Sequence, residues 1–457
     1  MKFINLTRRT EIGANSYYLE IGHHRVVLDC GMHPKNTGED ALPLFKAIAD
    51  REIEAILISH AHQDHIGTLP VAMRRFPGAR VFLTDTTAEV GSVLLHNSVN
   101  VMTRQREEIG EMAYPLFTHR ETDRASERWR SCPLRQQISI GGERAPRREK
   151  DAFTFEFFDA GHVLGSTGLM LRAQGQTVFY TGDVNFDDQT IMEAAVFPEE
   201  IDVLIMECTR GDHPKPDGWT RVSEEERLAE ALCAAFERNA CVLIPVFALG
   251  KTQEILALLY KFRRQRLLAE FPIYIGGLSS KFTDIYDRRA HTTRRLLPRL
   301  KLMREVAPFI LNDETVRDRP VRGERVYVLS SGMMIPKTLS NVFARRIIEN
   351  PQHSIFFVGY ANPESPAGLL RDAGTGGEVA LDPDKPPQRI RCNIEQFQFS
   401  AHATRESLVA YARKISPKKI LLVHGDPPAV EWMRGILSKE LPSSEVIVPL
   451  PGVELDL

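Results

Sequence analysis

Ser59-His60-Ala61-His62-Gln63-Asp64-His65 follows directly on the apolar run Ile56-Leu57-Ile58. Four potential metal ligands therefore crowd into His60–His65, where a buried strand gives way to a loop and then a helix. Imidazole nitrogens and carboxylate oxygens are the donors that suit zinc-like divalent ions. Helical residues two apart face away from each other, so H-x-H-x-D-H predicts a turn converging on one point, not a helical H-E-x-x-H site. A His-rich solvated loop would leave the apolar strand feeding the cluster unexplained. The stretch reads as a metal site at a strand end.

Other strand-like runs finish the same way. Phe153–Phe158 leads to Asp159-Ala160-Gly161-His162, and Val178-Phe179-Tyr180 to Thr181-Gly182-Asp183. Val203-Leu204-Ile205-Met206 ends on Glu207, Phe399-Ser400-Ala401 on His402, and Ile420-Leu421-Leu422-Val423 on His424. Upstream, Arg25-Val26-Val27-Leu28 ends on Asp29, which reads as a partner orienting the ligands in preference to a turn former. Strand–helix alternation predicts α/β layers, with functional groups at strand ends. His60, His62 and His162 form one expected ligand set, and Asp64, His65 and His424 a second, with Asp183 bridging. Two ions about 3.5–4 Å apart can hold a hydroxide and clamp a phosphodiester for in-line attack. Glu207 and His402 remain once the ligands are assigned. An imidazolium held by a carboxylate could protonate a leaving oxygen, and two ordinary turn residues fit the sequence equally well.

The rest of the chain frames that centre. At 457 residues it can hold two or three domains, and a net charge of −2 means that any nucleic-acid surface must be local. No run is long and apolar enough to span a membrane. Met1–Arg9 reads as a first strand and not a signal peptide. The six cysteines, Cys30, Cys132, Cys208, Cys233, Cys241 and Cys392, form no C-x-x-C pair, which suits reduced thiols in the cytoplasm. Leu42–Ala49 is expected to be helical. His119–Lys150, rich in arginine, reads as a solvated loop in preference to an RNA-contacting flap. From Cys208 a second α/β domain begins, with a capping box at Ser223 opening a helix and Gly374–Pro387 as its exit linker. Lys281–Arg304 would be a solvated helix face or a phosphate track. Gly250-Lys251-Thr252 is no phosphate loop, because Pro245 stands where its first glycine belongs.

The ordered set of Asp29, the H-x-H-x-D-H cluster, His162 and Asp183 resembles the metallo-β-lactamase fold. Beyond Asp183 the chain is similar to the β-CASP branch of nucleases within that fold, which includes the pre-mRNA 3′-end endonuclease and bacterial and archaeal ribonucleases. Glu207 falls on that branch's motif A, Ser400-Ala401-His402-Ala403 on motif B, and Leu422-Val423-His424-Gly425 on motif C. Pro245–Gly250 with Gln253-Glu254, and Ser330-Ser331-Gly332-Met333-Met334, match further. The resemblance implies an αββα sandwich (1–208, resuming at 387–457) interrupted by a β-CASP domain (209–386), with the active site between them. It implies two divalent ions, Zn2+ before Mn2+, held by His60, His62, Asp64, His65, His162, Asp183 and His424. Asp64, Asp183, Glu207 and His402 would be catalytic, with His402 as general acid paired to Glu207. Ser330, Ser331 and Ser400 would contact substrate. Histidine at motif C is typical of the RNA-cutting members, so the implied substrate is single-stranded RNA; a homodimer is left open. Thr404 stands where the branch usually has Asp. Cys208-Thr209-Arg210-Gly211 replaces Ser-Thr-Tyr-Gly, and Asn362–Pro366 replaces a usual Gly-Thr and Arg.

The leading expectation is a two-metal ribonuclease. A non-catalytic or partner-activated scaffold is the second reading, disfavoured because all seven ligands stand in place. A small-molecule metallo-hydrolase is the third, disfavoured because it needs neither the added domain nor Glu207 and His402.

Overall fold

In the computed structural model, which describes residues 1–145, 152–312 and 321–457, the strand Thr154–Asp159 sends Phe155 and Phe157 to one side and Phe158 to the other. That period-2 alternation organises the first of two compact units, built from Met1–Asp188, Ala194–Lys215 and His402–Leu457. Its two sheets each have seven strands. One runs Glu454–Asp456, Lys2–Asn5, Tyr17–Ile21, His24–Leu28, Ala55–Leu57, Arg80–Leu83, Trp129–Ser131. The other runs Glu445–Ile447, Lys419–Val423, Val203–Glu207, Gln176–Tyr180, Thr167–Ala173, Thr154–Asp159, Ile138–Ser139. Phe3, Tyr17, Leu28, Leu57 and Phe82 from the first sheet meet Phe155, Phe157, Leu171, Tyr180 and Ile205 from the second in one core. Each such side chain contributes about 1.5–3 kcal/mol of transfer free energy. The outer face of the second sheet buries Met170, Phe179, Leu204 and Leu422 under the helices Arg405–Ile415 and Pro427–Glu440. Leu95, Val99 and Met102 of the 25-residue helix Asp85–Ile109 lie in a further cluster with Val71 and Phe117. The layers are α, β, β, α.

The second unit comprises Gln189–Glu193 and Pro216–Ala401. Its sheet is parallel throughout, in the order Phe309–Leu311, Ile273–Gly276, Arg325–Leu329, Cys241–Pro245, Ser354–Phe357, Asn393–Gln396. The first strand of the unit, Cys241–Pro245, lies between later ones, so the order reverses beside it.

Several expectations are corrected. Leu42–Ala49 is not an α-helix: Pro43 separates two 3-10 turns, Gly38–Ala41 and Phe45–Ile48. The stretch from His119 is no solvated loop. It forms the helix His119–Ser126, opened by a Thr118/Glu121 capping box, and the strands Trp129–Ser131 and Ile138–Ser139. Its end at 146–151 lies outside the described residues. The helix expected at Ser223 begins at Arg221 on an N-cap of Thr220, with Ser223 closing the box. Gly374–Pro387 is not a bare linker, since Glu378–Val379 pairs with Gln388–Arg389 and Val379 and Leu381 are buried in the second core. Arg295 is no solvated cation; it is 3% exposed and packs over Tyr286. The units divide after Lys215 and Ala401, where the sequence boundaries were 208 and 386, because Asn393–Gln396 pairs with Ser354–Phe357. Among the described residues, no helix is long and apolar enough to cross a membrane.

Candidate metal centre

All nine residues of the expected centre and its proton donor pair belong to the first unit. His60 and His62 follow the strand Ala55–Leu57, and His62 caps the turn Gln63–Ile66 that carries Asp64 and His65. The other expected ligands stand at strand ends where the chain bends sharply. Gly161 (φ 64°) precedes His162, Gly182 (φ 53°) precedes Asp183, and His424 itself has φ 49°. A Cβ on Gly182 would lie 2.8 Å from the Thr167 carbonyl, so only glycine fits that corner. Gly31 is as tightly placed: a Cβ there would lie 1.8 Å from the Asp64 carbonyl oxygen.

The donor atoms converge. His62 Nδ1 lies 3.2 Å from His60 Nε2 and 3.1 Å from His162 Nε2. Asp183 Oδ2 is 3.5 Å from His60 Nε2 and 3.6 Å from His162 Nε2. Ligands about 2.0–2.2 Å from a tetrahedral ion sit roughly 3.3–3.6 Å apart, so these edges fit one zinc-like ion. A second group joins His424 Nε2 to Asp64 Oδ2 at 3.3 Å and His65 Nε2 to Asp183 Oδ1 at 3.3 Å. Asp183 Oδ1 is buried without a hydrogen bond, which an ion would relieve. Glu207 can also group with Asp183 and His424.

A buried network sets which nitrogen of each ring is free. Asp29 (φ 59°) accepts from the Ser59 N–H (2.7 Å), Ser59 Oγ (2.7 Å), Tyr180 OH (2.7 Å) and His65 Nδ1 (2.8 Å). Ser59 Oγ, having donated to Asp29, accepts from His60 Nδ1 at 3.0 Å. Thr209 Oγ1 meets His424 Nδ1 at 2.9 Å. With Nδ1–H engaged on His60 and His65, their Nε2 atoms present lone pairs to the centre, while His424 Nδ1 also lies 3.1 Å from Asp183 Oδ1.

Electrostatics make the same demand. Asp29, Asp64, Asp183 and Glu207 pair with no Lys or Arg among the described residues, although Asp29, Asp183 and Glu207 are at most 2% exposed. Burial pushes His60 well below the ordinary imidazole range, helped by the neighbouring His65. Burial also opposes charge on His65, but Asp183, Asp64 and Asp29 hold it well above its usual value. Asp64 is likewise pulled down to about 2, the His65 and His424 rings outweighing the cost of burial. Buried carboxylates whose ion-pair partners are imidazoles and not Lys or Arg suit bound cations, so the residues present fit a divalent pair.

His402 Nδ1 lies 3.2 Å from both Glu207 oxygens, and its Nε2 is 3.9 Å from Asp183 Oδ2. Glu207 is fixed by the Val184 N–H at 2.7 Å. Burial would lower His402, but Glu207 and Asp183 raise it above its usual value. Thr404, in the place of the usual Asp, caps the helix Arg405–Ile415 by accepting from the Ser407 N–H. Ser330, Ser331 and Ser400 belong to the second unit. Sequence reading missed Ser59, Tyr180 and Thr209 as ring-orienting partners; nothing local marks them. Arg210, noted there only as a departure, is part-buried, and its guanidinium makes no hydrogen bond or ion pair among the described residues.

Comparison with known proteins gives the lineage. Three family models match in order: "Beta-lactamase superfamily domain" over 24–244, "Beta-Casp domain" over 252–370, and "Zn-dependent metallo-hydrolase RNA specificity domain" over 387–449. An RNase J-like protein of Methanocaldococcus jannaschii is 28% identical over 91% of this chain and 90% of its own. Cleavage and polyadenylation specificity factor subunit 3 of Dictyostelium discoideum is 29% identical over 98% of this chain, which spans 56% of that protein. The transcription termination factor FttA of Methanothermobacter thermautotrophicus is 29% identical over 91% of this chain and 65% of its own. A solved structure, of an Enterococcus faecalis protein of unknown function, shares the fold with a TM-score of 0.54 at 13% identity, over 100% of this chain and 99% of that one. Three consecutive matches and a strand-end cluster of imidazoles and carboxylates agree: the chain belongs to the β-CASP ribonuclease family of the metallo-β-lactamase superfamily.

Proposed function

We propose that this chain hydrolyses phosphodiester bonds of single-stranded RNA at a two-metal centre, with His402 as general acid. The observation that carries the reading is the group of Asp29, Asp64 and Asp183, with no Lys or Arg partner among the described residues, around converging imidazoles, with the His402–Glu207 pair beside it. His60, His62, His162 and Asp183 would hold one ion, and Asp64, His65, His424 and Asp183 the other. The imidazole-rich, near-tetrahedral edges favour Zn2+ over Mn2+. Bound there, the ions would supply Lewis-acid activation of water and neutralise phosphate charge.

The chain's own residues do the rest. Glu207 holds the His402 ring through Nδ1, which leaves Nε2 as the position from which a proton passes to the leaving oxygen. Asp29 keeps His65 in the tautomer that ligates, directly, and His60 through Ser59. Ser330 and Ser331 lie just past the carboxyl end of Arg325–Leu329, next to the strand where the sheet order reverses, a usual place for ligands in open α/β sheets. We assign them, with Ser400, contacts to the RNA backbone.

The test is incubation of Zn2+-loaded protein with 5′-labelled single-stranded RNA, alongside His402→Ala and a chelated control. Metal-dependent cleavage that His402→Ala loses while keeping its metal supports the reading. Intact RNA in the presence of bound metal overturns it in favour of a scaffold.

A further inference from the structure

Arg210 lies three residues past Glu207 and is held there by its backbone. Cys208–Gly211 is a tight turn, closed by the Gly211 N–H on the Cys208 carbonyl at 2.9 Å. The Cys208 N–H donates to the His424 carbonyl at 3.1 Å. Thr209 meets two residues of the centre, its N–H 3.3 Å from Glu207 Oε2 and its Oγ1 2.9 Å from His424 Nδ1. A Cβ on Gly211 would lie 2.3 Å from the Ala429 carbonyl, so the turn sits flush on the helix Pro427–Glu440. The Arg210 carbonyl accepts from the His213 N–H at 3.1 Å. Its side chain, by contrast, is unengaged: the part-buried guanidinium makes no ion pair or hydrogen bond among the described residues.

Five N–H donors without a protein acceptor are an incomplete arrangement for a part-buried cation. The acids whose charge it feels are Glu406, Glu207 and Asp187. Glu406 is taken by Arg405 at 3.0 Å, Glu207 by His402 and the Val184 N–H, and Asp187 is exposed. Burial outweighs their pull and lowers the guanidinium, whereas Arg221, paired with Glu254 and Glu225, is raised despite its own burial. Thr404, two residues before Glu406, leaves the surroundings less acidic than the branch's usual Asp would.

We propose that Arg210 binds the RNA phosphate next to the scissile one, on the side of the leaving oxygen. The inference rests on the ribonuclease reading. A planar guanidinium can donate to two phosphate oxygens at once. The side follows from Glu207, which holds the proton donor and accepts from the Thr209 N–H. The scissile phosphate would face the ions, so a cation one residue beyond Thr209 falls to the neighbouring phosphate. Arg where the branch usually has Tyr makes this contact a property of this chain and not of the branch.

The test uses a single-stranded RNA that wild type cuts at one position, made with a neutral methylphosphonate at each phosphate in turn. Binding is read by fluorescence anisotropy with Zn2+-loaded His402→Ala, which keeps the RNA intact, and with the same protein carrying Arg210→Met. With Arg210 present, the methylphosphonate beside the cut on the leaving side should weaken binding about 10-fold. With Arg210→Met that position should make no difference, while the other positions weaken both proteins alike. The slope of log affinity against log salt should shrink by about 0.7 in Arg210→Met and hold in Arg210→Lys. Retained Zn2+ and an unchanged circular dichroism spectrum show that the variants are folded. Identical methylphosphonate profiles with and without Arg210, or a difference at any other phosphate, overturn the proposal and leave the ribonuclease reading standing. RNA that wild type neither binds nor cuts overturns both.

Discussion

Glu254 in the second unit and Asp183 in the first are both carboxylates at most 2% exposed, yet their surroundings balance them differently. Glu254 accepts from the Thr190 N–H at 2.9 Å and Thr190 Oγ1 at 2.8 Å, and it pairs with the Arg221 guanidinium. Arg221 also bonds Glu225 at 2.9 Å, and Lys261 closes the group on Glu225. Two acids meet two built-in cations. At the candidate metal centre four acids have imidazoles, and no Lys or Arg among the described residues, as ion-pair partners. The first arrangement is balanced by the chain itself. The second relies on imidazoles, which can give up a proton to make room for a bound cation, and the difference separates a structural cluster from one suited to binding ions.

Substitutions should respond accordingly. Asp183→Ala removes the carboxylate proposed to serve both ions, so metal content should fall and RNA cleavage should drop to the level of the chelated control. His402→Ala should cost about 10²–10⁴-fold in cleavage rate while metal content holds, because proton donation and metal binding use different atoms. Arg221→Met strands Glu254 and should cost about 3–5 kcal/mol in urea unfolding, with no change in metal affinity. Equal sensitivity of metal binding to Arg221→Met and Asp183→Ala would erase the contrast. Asp29→Asn should weaken metal affinity about 10–100-fold, measured by competition with a chromogenic chelator, since the ring tautomers lose their anchor.

The smallest effect is a pH slope. Burial raises the Glu254 carboxyl, but Arg221, Lys251 and Thr190 outweigh it and hold it below its usual value. Its folded pKa is thus depressed. Its stabilisation is complete above the unfolded carboxylate value and lost as pH falls through the folded one. Glu254→Gln should flatten the fall in stability on the acid side of that range.

The converging donors were legible because each is announced locally: an apolar run, then an imidazole or carboxylate, with glycine near several of the corners. His60, His62, Asp64 and His65 also lie close enough in sequence for spacing to speak. Tyr180 carries no such mark. Its hydroxyl meets Asp29 only because strands distant in the chain pack face to face. The helix His119–Ser126 was obscured by its arginines, although Thr118 and Glu121 spell a capping box. Gly374–Pro387 misled through composition, since a turn-rich stretch can still form a short ladder whose apolar residues are buried. Local chemistry shows in the residues themselves, whereas partners brought together by tertiary packing do not.

The segment His402–Leu457 returns to the first unit after the whole second unit has intervened. It inserts Lys419–Val423 beside Val203–Glu207 and brings His402 and His424 with it. On a ribosome, adding about 5–20 residues per second, His60, His62 and His162 emerge early, whereas His402 and His424 wait until the whole second unit has been made. A polypeptide released anywhere inside the second unit would carry His60, His62 and His162 but neither His402 nor His424. Under the proposed function, copies that stop inside the second unit would lack both the proton donor and a ligand of the second ion, so cleavage would wait until the second unit has been made.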